Sequence, residues 1–136
     1  MLASALSAPS SPCHTDLEQR FADFLDGATD VERYFKHERF GFSVTYHEGN
    51  RPRQYYPDFI IAARDAAGHE LMWLAETKGE IRPNTALKSE AAQMWCEKMT
   101  ATAYGTWRYL FIRQRKLEAA LAAGKKCLGR TGFGPR

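Results

Sequence analysis

The sequence YYPDFIIA (residues 55–62) is followed by the polar segment RDAAGH (64–69) and then by ELMWLAETK (70–78). The first and third segments are rich in strand-forming apolar residues, and the polar segment between them contains a glycine. This pattern predicts two neighbouring antiparallel strands, 55–62 and 70–78, joined by a turn. Their apolar runs must be buried, so the rest of the domain has to form around this pair.

Charged side chains lie near the adjoining ends of these two predicted strands. Side chains alternate along a strand, so Glu76 and Lys78 share one face, while Thr77 lies on the other face with its carbonyl near the same edge. Asp58, at the start of the partner strand, can converge on that pair. Hard oxygen ligands suit Mg²⁺, which commonly binds to one or two carboxylates and keeps several waters. The arrangement is therefore typical of metal-assisted phosphodiester hydrolysis.

The pattern Pro57-Asp58 followed by Glu76-x-Lys78 resembles the signature of the PD-(D/E)XK nuclease superfamily. The surrounding sequence, from about residue 17 to residue 112, resembles the C-terminal endonuclease domain of type III restriction enzyme Res subunits and related restriction helicases. Five segments carry this likeness in the same order: VERYFK (31–36), GFSVTY (41–46), YPDF (56–59), ETKG (76–79) and ALKSEAAQMWC (86–96).

This resemblance implies a DNA-cleaving site. The family relies on the aspartate after the proline and on the Glu and Lys of the ExK element, which correspond to Asp58, Glu76 and Lys78. The resemblance also implies a Mg²⁺ cofactor, for which Mn²⁺ can substitute. The implied metal ligands are Asp58, Glu76, the backbone carbonyl of Thr77 and, as a looser match on the first helix, Glu18.

A second, looser match is the lysine of the helix that follows the second strand. In the family-like segment this position is Lys88, which the resemblance places against DNA. Three arginines near the first motif strand, Arg51, Arg53 and Arg64, are further candidates for phosphate contacts, because such contacts give salt-dependent and largely sequence-independent affinity.

Each candidate residue also has a purely structural interpretation. Asp58 can accept backbone hydrogen bonds at the start of a strand, and Glu76 with Lys78 can form a surface pair on an edge strand. Lys88 can be a solvated helix lysine, and Glu18 an exposed first-turn glutamate favoured by the helix dipole. The apolar run directly before Glu76 opposes a surface position, because a buried charge needs a partner or a metal.

The remaining patterns predict the element order α-β-β-β-α-β-α. Helices are expected over 16–25, 86–99 and 114–123 and further strands over 42–47 and 107–112, with a short amphipathic or irregular piece at 31–35 and a polar turn at 48–52. This order predicts an α/β (α+β) fold with a mixed central sheet of about four strands flanked by helices. The resemblance identifies it as a restriction-endonuclease-like core.

The expected organisation is a single domain over residues 16–124. A flexible leader is expected at 1–15 and a basic flexible tail at 125–136, where lysine, arginine and glycine accumulate. Nothing matches a phosphate-binding loop, since GKK (124–126) lacks the upstream glycine and the hydroxyl residue. The resemblance therefore implies a separate ATP-dependent helicase or translocase subunit as a partner. A double-strand break would need a homodimer or two visits, because each site cuts one strand.

Charge and composition fit a polyanionic partner. The formal net charge is +3. From Arg108 to the end of the sequence there are eight Lys or Arg residues and one acidic residue. DNA is the polyanion that the resemblance implies, although a basic tail can also serve solubility alone. No apolar run approaches the length of a membrane span, and the leader lacks the features of a signal peptide. Three widely spaced cysteines indicate reduced thiols, so a cytoplasmic protein without a membrane partner is expected.

The sequence thus predicts a Mg²⁺-dependent DNA endonuclease domain of restriction-enzyme type, which hydrolyses phosphodiester bonds by attack of a metal-activated water. Two alternatives stay open. One is a catalytically silent nuclease-like module that binds DNA or recruits it to a motor, and the other is an accessory subunit whose fold serves protein assembly. The intact trio Asp58, Glu76 and Lys78 favours the enzyme, because docking alone does not require it.

Overall fold

The computed structural model describes residues 16–36, 43–78, 82–102 and 105–130. The helices within these ranges are α1 (Asp16–Gly27), α2 (Thr85–Ala101) and α3 (Gln114–Ala122), with a short 3-10 helix at Leu128–Arg130. The strands are β1 (Val31–Lys36), β2 (Val44–Glu48), β3 (Arg51–Tyr55), β4 (Phe59–Arg64), β5 (Glu70–Lys78) and β6 (Trp107–Arg113).

Four strands form one mixed sheet in the order β1-β4-β5-β6. β4 runs antiparallel to β1 and to β5, whereas β6 runs parallel to β5. A parallel pair requires a crossover connection, and α2 provides it between β5 and β6. The structure confirms the predicted α/β (α+β) fold class, the antiparallel pairing of the two central strands and the return of the last strand beside them.

The sheet separates two apolar cores. Alternate residues of β5 point to opposite sides, so Trp73 packs in one core and Leu74 in the other. The first core joins the sheet to α1, α3 and the 3-10 helix, with Phe21 and Leu117 fully buried. The second joins the sheet to α2 and to the hairpin of β2 and β3, with Tyr55 among its buried members.

β5 is buried along nearly its whole length, as its apolar run predicts. The residues from Trp73 to Thr77 are all buried, and only the first residue of the strand is fully exposed. A strand covered on both faces reads as a continuous apolar run without alternation. Its last three residues are nevertheless Glu76, Thr77 and Lys78, so charge is carried into the covered part of the sheet.

The segment over 31–36 forms the edge strand β1, where the sequence predicted a short amphipathic or irregular piece. Its only buried side chains are Tyr34 and Lys36, so the segment has too little apolar content to signal a strand. The Tyr34 hydroxyl donates to Asp26 Oδ1 at 2.8 Å, which ties the strand to the end of α1. Tertiary pairing with β4 therefore decides this element.

The predicted polar turn at 48–52 and the predicted strand start at residue 55 both need correction. The turn is only Gly49–Asn50, and β3 follows at once, with four exposed residues before Tyr55. Pro52 is compatible with this hairpin because a two-stranded sheet consists of edge strands. A break at residues 56–58 then separates β3 from β4, so Asp58 lies just before β4 instead of within it.

The three helices agree with the predicted ones to within about two residues at each end, the usual uncertainty of helix boundaries. None of the helices in the described ranges is long and apolar enough to cross a membrane. Cys96 and Cys127 are free thiols, and Cys96 is buried on α2. Cys13 lies in the predicted leader at 1–15, outside the described residues.

Within the predicted tail, Leu128 packs on the domain, and residues 128 and 129 are hydrogen-bonded to it. Leu128 is 1% exposed and belongs to the first core. Its backbone N–H donates to Asp30 Oδ1 at 2.7 Å, and the Gly129 N–H donates to Asp30 Oδ2 at 2.9 Å. Because the segment is rich in basic residues, its sequence did not indicate that Leu128 is buried. The rest of the predicted tail, 131–136, lies outside the described residues.

Leu128→Ala tests whether this segment is part of the folded unit. We expect it to lower the free energy of unfolding by about 2–5 kcal/mol, because it deletes a fully buried side chain and leaves a cavity. Leu121→Ala is the matched control, since Leu121 is 44% exposed on α3 and its truncation should have little effect. Urea denaturation followed by circular dichroism measures both. If Leu128→Ala lowered the free energy of unfolding as little as Leu121→Ala does, the packing of Leu128 in the core would be contradicted.

Candidate active site

Asp58 is tied to the carboxyl end of β5 by two hydrogen bonds. Thr77 donates its backbone N–H to Asp58 Oδ2 at 2.9 Å and its hydroxyl to the same oxygen at 2.8 Å. The N–H and C=O of one strand residue leave the strand on the same side. The Thr77 carbonyl is therefore directed to the side of Asp58, beyond the last pair of the β4–β5 ladder, Phe59 with Ala75.

Glu76 projects from the other face of β5 and is 5% exposed. The Tyr55 hydroxyl donates to Glu76 Oε1 at 2.9 Å, and Lys78 Nζ lies 3.0 Å from Glu76 Oε2. Both carboxylate oxygens therefore have a partner. The alternative of a surface pair on an edge strand is excluded, because β5 lies between β4 and β6 and Glu76 is buried.

Burial makes both carboxylates harder to ionise. It raises the pKa of Glu76 to about 7, with repulsion from Asp58 acting in the same direction and Lys78 opposing. Burial also raises the pKa of Asp58; the hydrogen bonds from Thr77 oppose this shift, and the charge of Glu18 adds to it. A divalent cation would favour the ionised form of both groups. Two carboxylates and a carbonyl oxygen are also the hard donors that Mg²⁺ accepts, so these residues fit the implied ion.

Lys78 and Lys88 line a shallow depression next to Glu76. The other residues that line it are Tyr55, Thr85, Ser89, Tyr109 and Phe111. Lys88 Nζ lies 5.8 Å from the centroid of the Tyr55 ring, which is a cation–π arrangement. Burial and then the neighbouring Lys78 charge lower the pKa of Lys88. Lys88 is therefore partly buried beside the carboxylates and is not the fully solvated helix lysine of the structural interpretation.

Glu18 is close to the same end of the sheet but is bound to a lysine. Lys36 Nζ lies 3.3 Å from Glu18 Oε1, and the two side chains are only 6% and 12% exposed. The interpretation of Glu18 as an exposed first-turn glutamate is therefore wrong. Across the described ranges, no three His, Cys, Asp or Glu side chains are grouped closely enough to hold one ion together.

The candidate arginines are distributed over two distant places. Arg51 and Arg53 are exposed on β3, about 13 and 7 Å along the strand from Tyr55, and Arg53 pairs with Glu48 at 3.4 Å. Arg64 ends β4 at the opposite end from Asp58, about 20 Å along the chain, and its guanidinium pairs with Glu32. Arg51 and Arg53 are therefore on the strand that ends at Tyr55, whereas Arg64 lies at the end of β4 away from Asp58.

Two residues of this site carried no functional assignment from the sequence. Tyr55 belongs to the apolar and aromatic run at 55–62, and the structure makes its hydroxyl the hydrogen-bond donor to Glu76. Lys36 gave no signal, because a lysine on a short amphipathic segment is ordinarily solvated. Only a buried glutamate on another element gives it a role.

Known proteins add no further support for this site. Comparisons with protein-family models, with curated proteins and with solved structures find no match. The interpretation of the site accordingly depends on its residues and their geometry.

Glu76→Gln tests the electrostatic state of the metal-free site. The pKa of this carboxyl is raised from 4.5 to about 7, so the folded state holds a proton that the unfolded state has already lost. Stability should therefore fall as the pH rises through this window, by up to about 3 kcal/mol from this group. We expect Glu76→Gln to gain stability relative to wild type between pH 5 and pH 8.

Urea midpoints at the two pH values measure this difference, and saturating Mg²⁺ should reduce it because the cation stabilises the ionised carboxylate. Glu70→Gln is the control, since Glu70 is exposed at the other end of the same strand. A stability difference between Glu76→Gln and wild type that does not change with pH would contradict the raised pKa.

Proposed function

We propose that this chain is a Mg²⁺-dependent DNA endonuclease domain of the PD-(D/E)XK type. The observation that supports it best is the position of Asp58, Glu76 and Lys78. One buried and one partly buried carboxylate, both with raised pKa values, and one lysine lie at the adjoining ends of two antiparallel strands. Acidic residues with shifted pKa values next to a cationic side chain are characteristic of functional sites. The resemblance of the sequence to PD-(D/E)XK nucleases points to the same chemistry.

Each residue has a role in this proposal. Asp58, Glu76 and the Thr77 carbonyl would hold the ion, and Tyr55 keeps Glu76 in place through its hydrogen bond. Mg²⁺, when bound, would act as a Lewis acid that activates water and polarises the phosphate. Lys78, whose side chain is 22% exposed, can reach solvent while it contacts Glu76, so its ammonium can orient the attacking water and stabilise developing negative charge.

Basic residues surround this end of the sheet, where a phosphate backbone would approach. β6 runs parallel to β5 and places Arg113 opposite Lys78, and the first turn of α3 continues with the exposed residues Arg115 and Lys116. Lys88 lies on the other side of the depression that contains Glu76. Duplex DNA carries closely spaced phosphates, and such a cluster of cations suits it.

A catalytically silent DNA-binding module is the second candidate. One observation favours it: Glu76 and Asp58 already receive hydrogen bonds or ion pairs from Tyr55, Lys78 and Thr77. Both carboxylates therefore have hydrogen-bond or ion-pair partners from the protein itself. The same pairing is compatible with an enzyme that has no substrate bound. The partial exposure of the Lys78 side chain to solvent favours the enzyme.

The proposed function also implies a cellular location and partners for the domain. We place the domain in the cytoplasm, where its free thiols would stay reduced. A separate ATP-dependent helicase or translocase would be its motor partner. A homodimer would supply the second site that a double-strand break requires.

Asp58→Asn and Lys78→Ala test the nuclease directly. We expect purified wild-type chain to convert supercoiled plasmid to nicked and linear forms in Mg²⁺ or Mn²⁺, and EDTA to abolish this. Each variant should lower the rate by at least about 100-fold, because a metal ligand or a charge-stabilising cation is lost. Asparagine retains an acceptor for the Thr77 hydrogen bonds, so the fold should survive.

Asp23→Asn and Lys98→Ala are matched controls on exposed helix positions and should cleave like wild type. Circular dichroism melts confirm that all four variants fold. Wild-type chain that binds plasmid but leaves it intact under every metal condition would favour the silent module. Cleavage that survives both site substitutions would overturn the assignment of the residues.

The double variant Arg51→Ala/Arg53→Ala tests the hairpin as a DNA contact. Fluorescence anisotropy with a labelled duplex should show weaker binding at low salt. The slope of log affinity against log salt should fall by up to about 2, because each phosphate contact releases counterions. Arg33→Ala removes an exposed arginine on β1 and serves as the control. Equal salt slopes for wild type and the double variant would exclude the hairpin from the interface.

A further inference from the structure

A cavity of about 460 Å³ lies at the end of the sheet away from the carboxylates. Arg64 at the end of β4, Arg108 near the start of β6, and Leu71 and Trp73 of β5 are among the residues that line it. Its volume is within the range of small-molecule sites. It shares no lining residue with the depression that contains Glu76, so its role does not depend on the proposed function.

The indole N–H of Trp73 lacks an acceptor. Trp73 is 9% exposed, and its Nε1 atom is buried with no hydrogen-bond partner among the described residues. A buried indole N–H usually has a partner, because a polar group left unpaired in the interior costs free energy. Bulk water does not supply the acceptor, since the atom is shielded from solvent. A ligand held in the adjoining cavity can supply it.

Arg108 provides a second unused donor group on the same wall. The β5–β6 register places it opposite Trp73, so the two side chains leave the sheet on the same face. Within the ranges that the structure describes, the exposed Arg108 makes no hydrogen bond or ion pair. Arg64, in contrast, is engaged by Glu32 and by the carbonyl oxygen of Gly68. Arg108 is therefore available to a ligand.

The two acidic residues of the cavity already serve the protein. Both oxygens of Asp30 accept backbone N–H groups of the 3-10 helix, at 2.7 and 2.9 Å. Asp65 Oδ1 accepts two backbone N–H groups of its own turn, at 2.9 and 2.8 Å. The wall thus has donors without partners, while its carboxylates are occupied. A ligand that carries acceptors and a negative charge complements such a wall.

We propose that this cavity binds a small organic anion with a flat apolar body, whose charge comes from a phosphate or a carboxylate. The anionic group pairs with the guanidinium of Arg108, and an acceptor atom of the ligand receives the N–H of Trp73. The apolar body packs against Leu71 and the Trp73 ring. An inorganic anion alone would fill only a small part of the volume.

The test follows the Trp73 indole N–H in ¹H–¹⁵N NMR spectra of the full chain, in which the three tryptophans each give one indole signal. Trp73→Phe identifies the signal by its loss, and Trp95→Phe and Trp107→Phe identify it by elimination if Trp73→Phe does not fold. Adenosine monophosphate or indole-3-acetate should shift this signal with a Kd below about 1 mM. The signals of Trp95 and Trp107 should not move, since their rings pack together in the second core.

Arg108→Ala should weaken this binding at least about tenfold, because a charge-assisted hydrogen bond is lost. Arg33→Ala is the matched control, since it removes an exposed arginine of β1 that does not line the cavity. Arg33→Ala and Asp58→Asn should both bind like wild type. Neutral adenosine should bind at least about tenfold more weakly than its monophosphate.

Several outcomes would overturn the inference. Neither anion shifting the Trp73 signal, or equal affinity in wild type and Arg108→Ala, would show that the cavity is not an anion site. Inorganic phosphate that binds as tightly as the organic anions would refute the ligand class. Loss of binding in folded Asp58→Asn would place the ligand at the carboxylates instead. A shift with one of the two organic anions alone would support the site and identify its anionic group.

Discussion

The structure depends on one constraint: the central strand is covered on both faces and still ends in charged residues. β5 places Glu76 and Thr77 inside the fold, with β4 on one side and β6 on the other. Ionised groups in such a place require partners, because the loss of hydration is costly. The surrounding elements supply these partner residues, and the partner residues make up most of the site. Tyr55 comes from the hairpin, Asp58 from the residue just before β4 and Lys78 from β5 itself.

The topology concentrates these groups at one end of the sheet. An antiparallel neighbour brings the start of β4 to the end of β5, so Asp58 meets Thr77. A parallel neighbour brings the end of β6 to the same place, so Arg113 lies opposite Lys78. The carboxylates and the basic surface therefore share one end through strand direction alone. Arg64 shows the converse, since it is on β4 but at the end away from the carboxylates.

The two faces of the sheet contribute in different ways. On the side of α2 and the hairpin, Tyr55 donates to Glu76 and supports Lys88 with its ring, so a single buried aromatic residue orders an acid and a cation. On the side of α1, Lys36 contacts Glu18, and the charge of Glu18 adds to the burial that raises the pKa of Asp58. The site holds two acids whose raised pKa values a cation would lower again.

The sequence alone determined the elements whose signal is local. The apolar run of β5, the turn before it and the helical periodicities each mark their own element, so the fold class, the central strand pair and the three helices were predictable. The placement of Asp58, Glu76 and Lys78 at one end of the strand pair was also predictable from spacing, because alternation and pairing of adjacent strands follow from local rules. The edge strand β1, the strand β3 and the packing of Leu128 were not, since their segments are polar and become ordered only through distant partners. Only the tertiary structure decided that Tyr55 donates a hydrogen bond to Glu76, that Lys36 pairs with Glu18 and that Arg64 lies away from the carboxylates. Burial and pairing between elements far apart in the chain leave no pattern in the sequence.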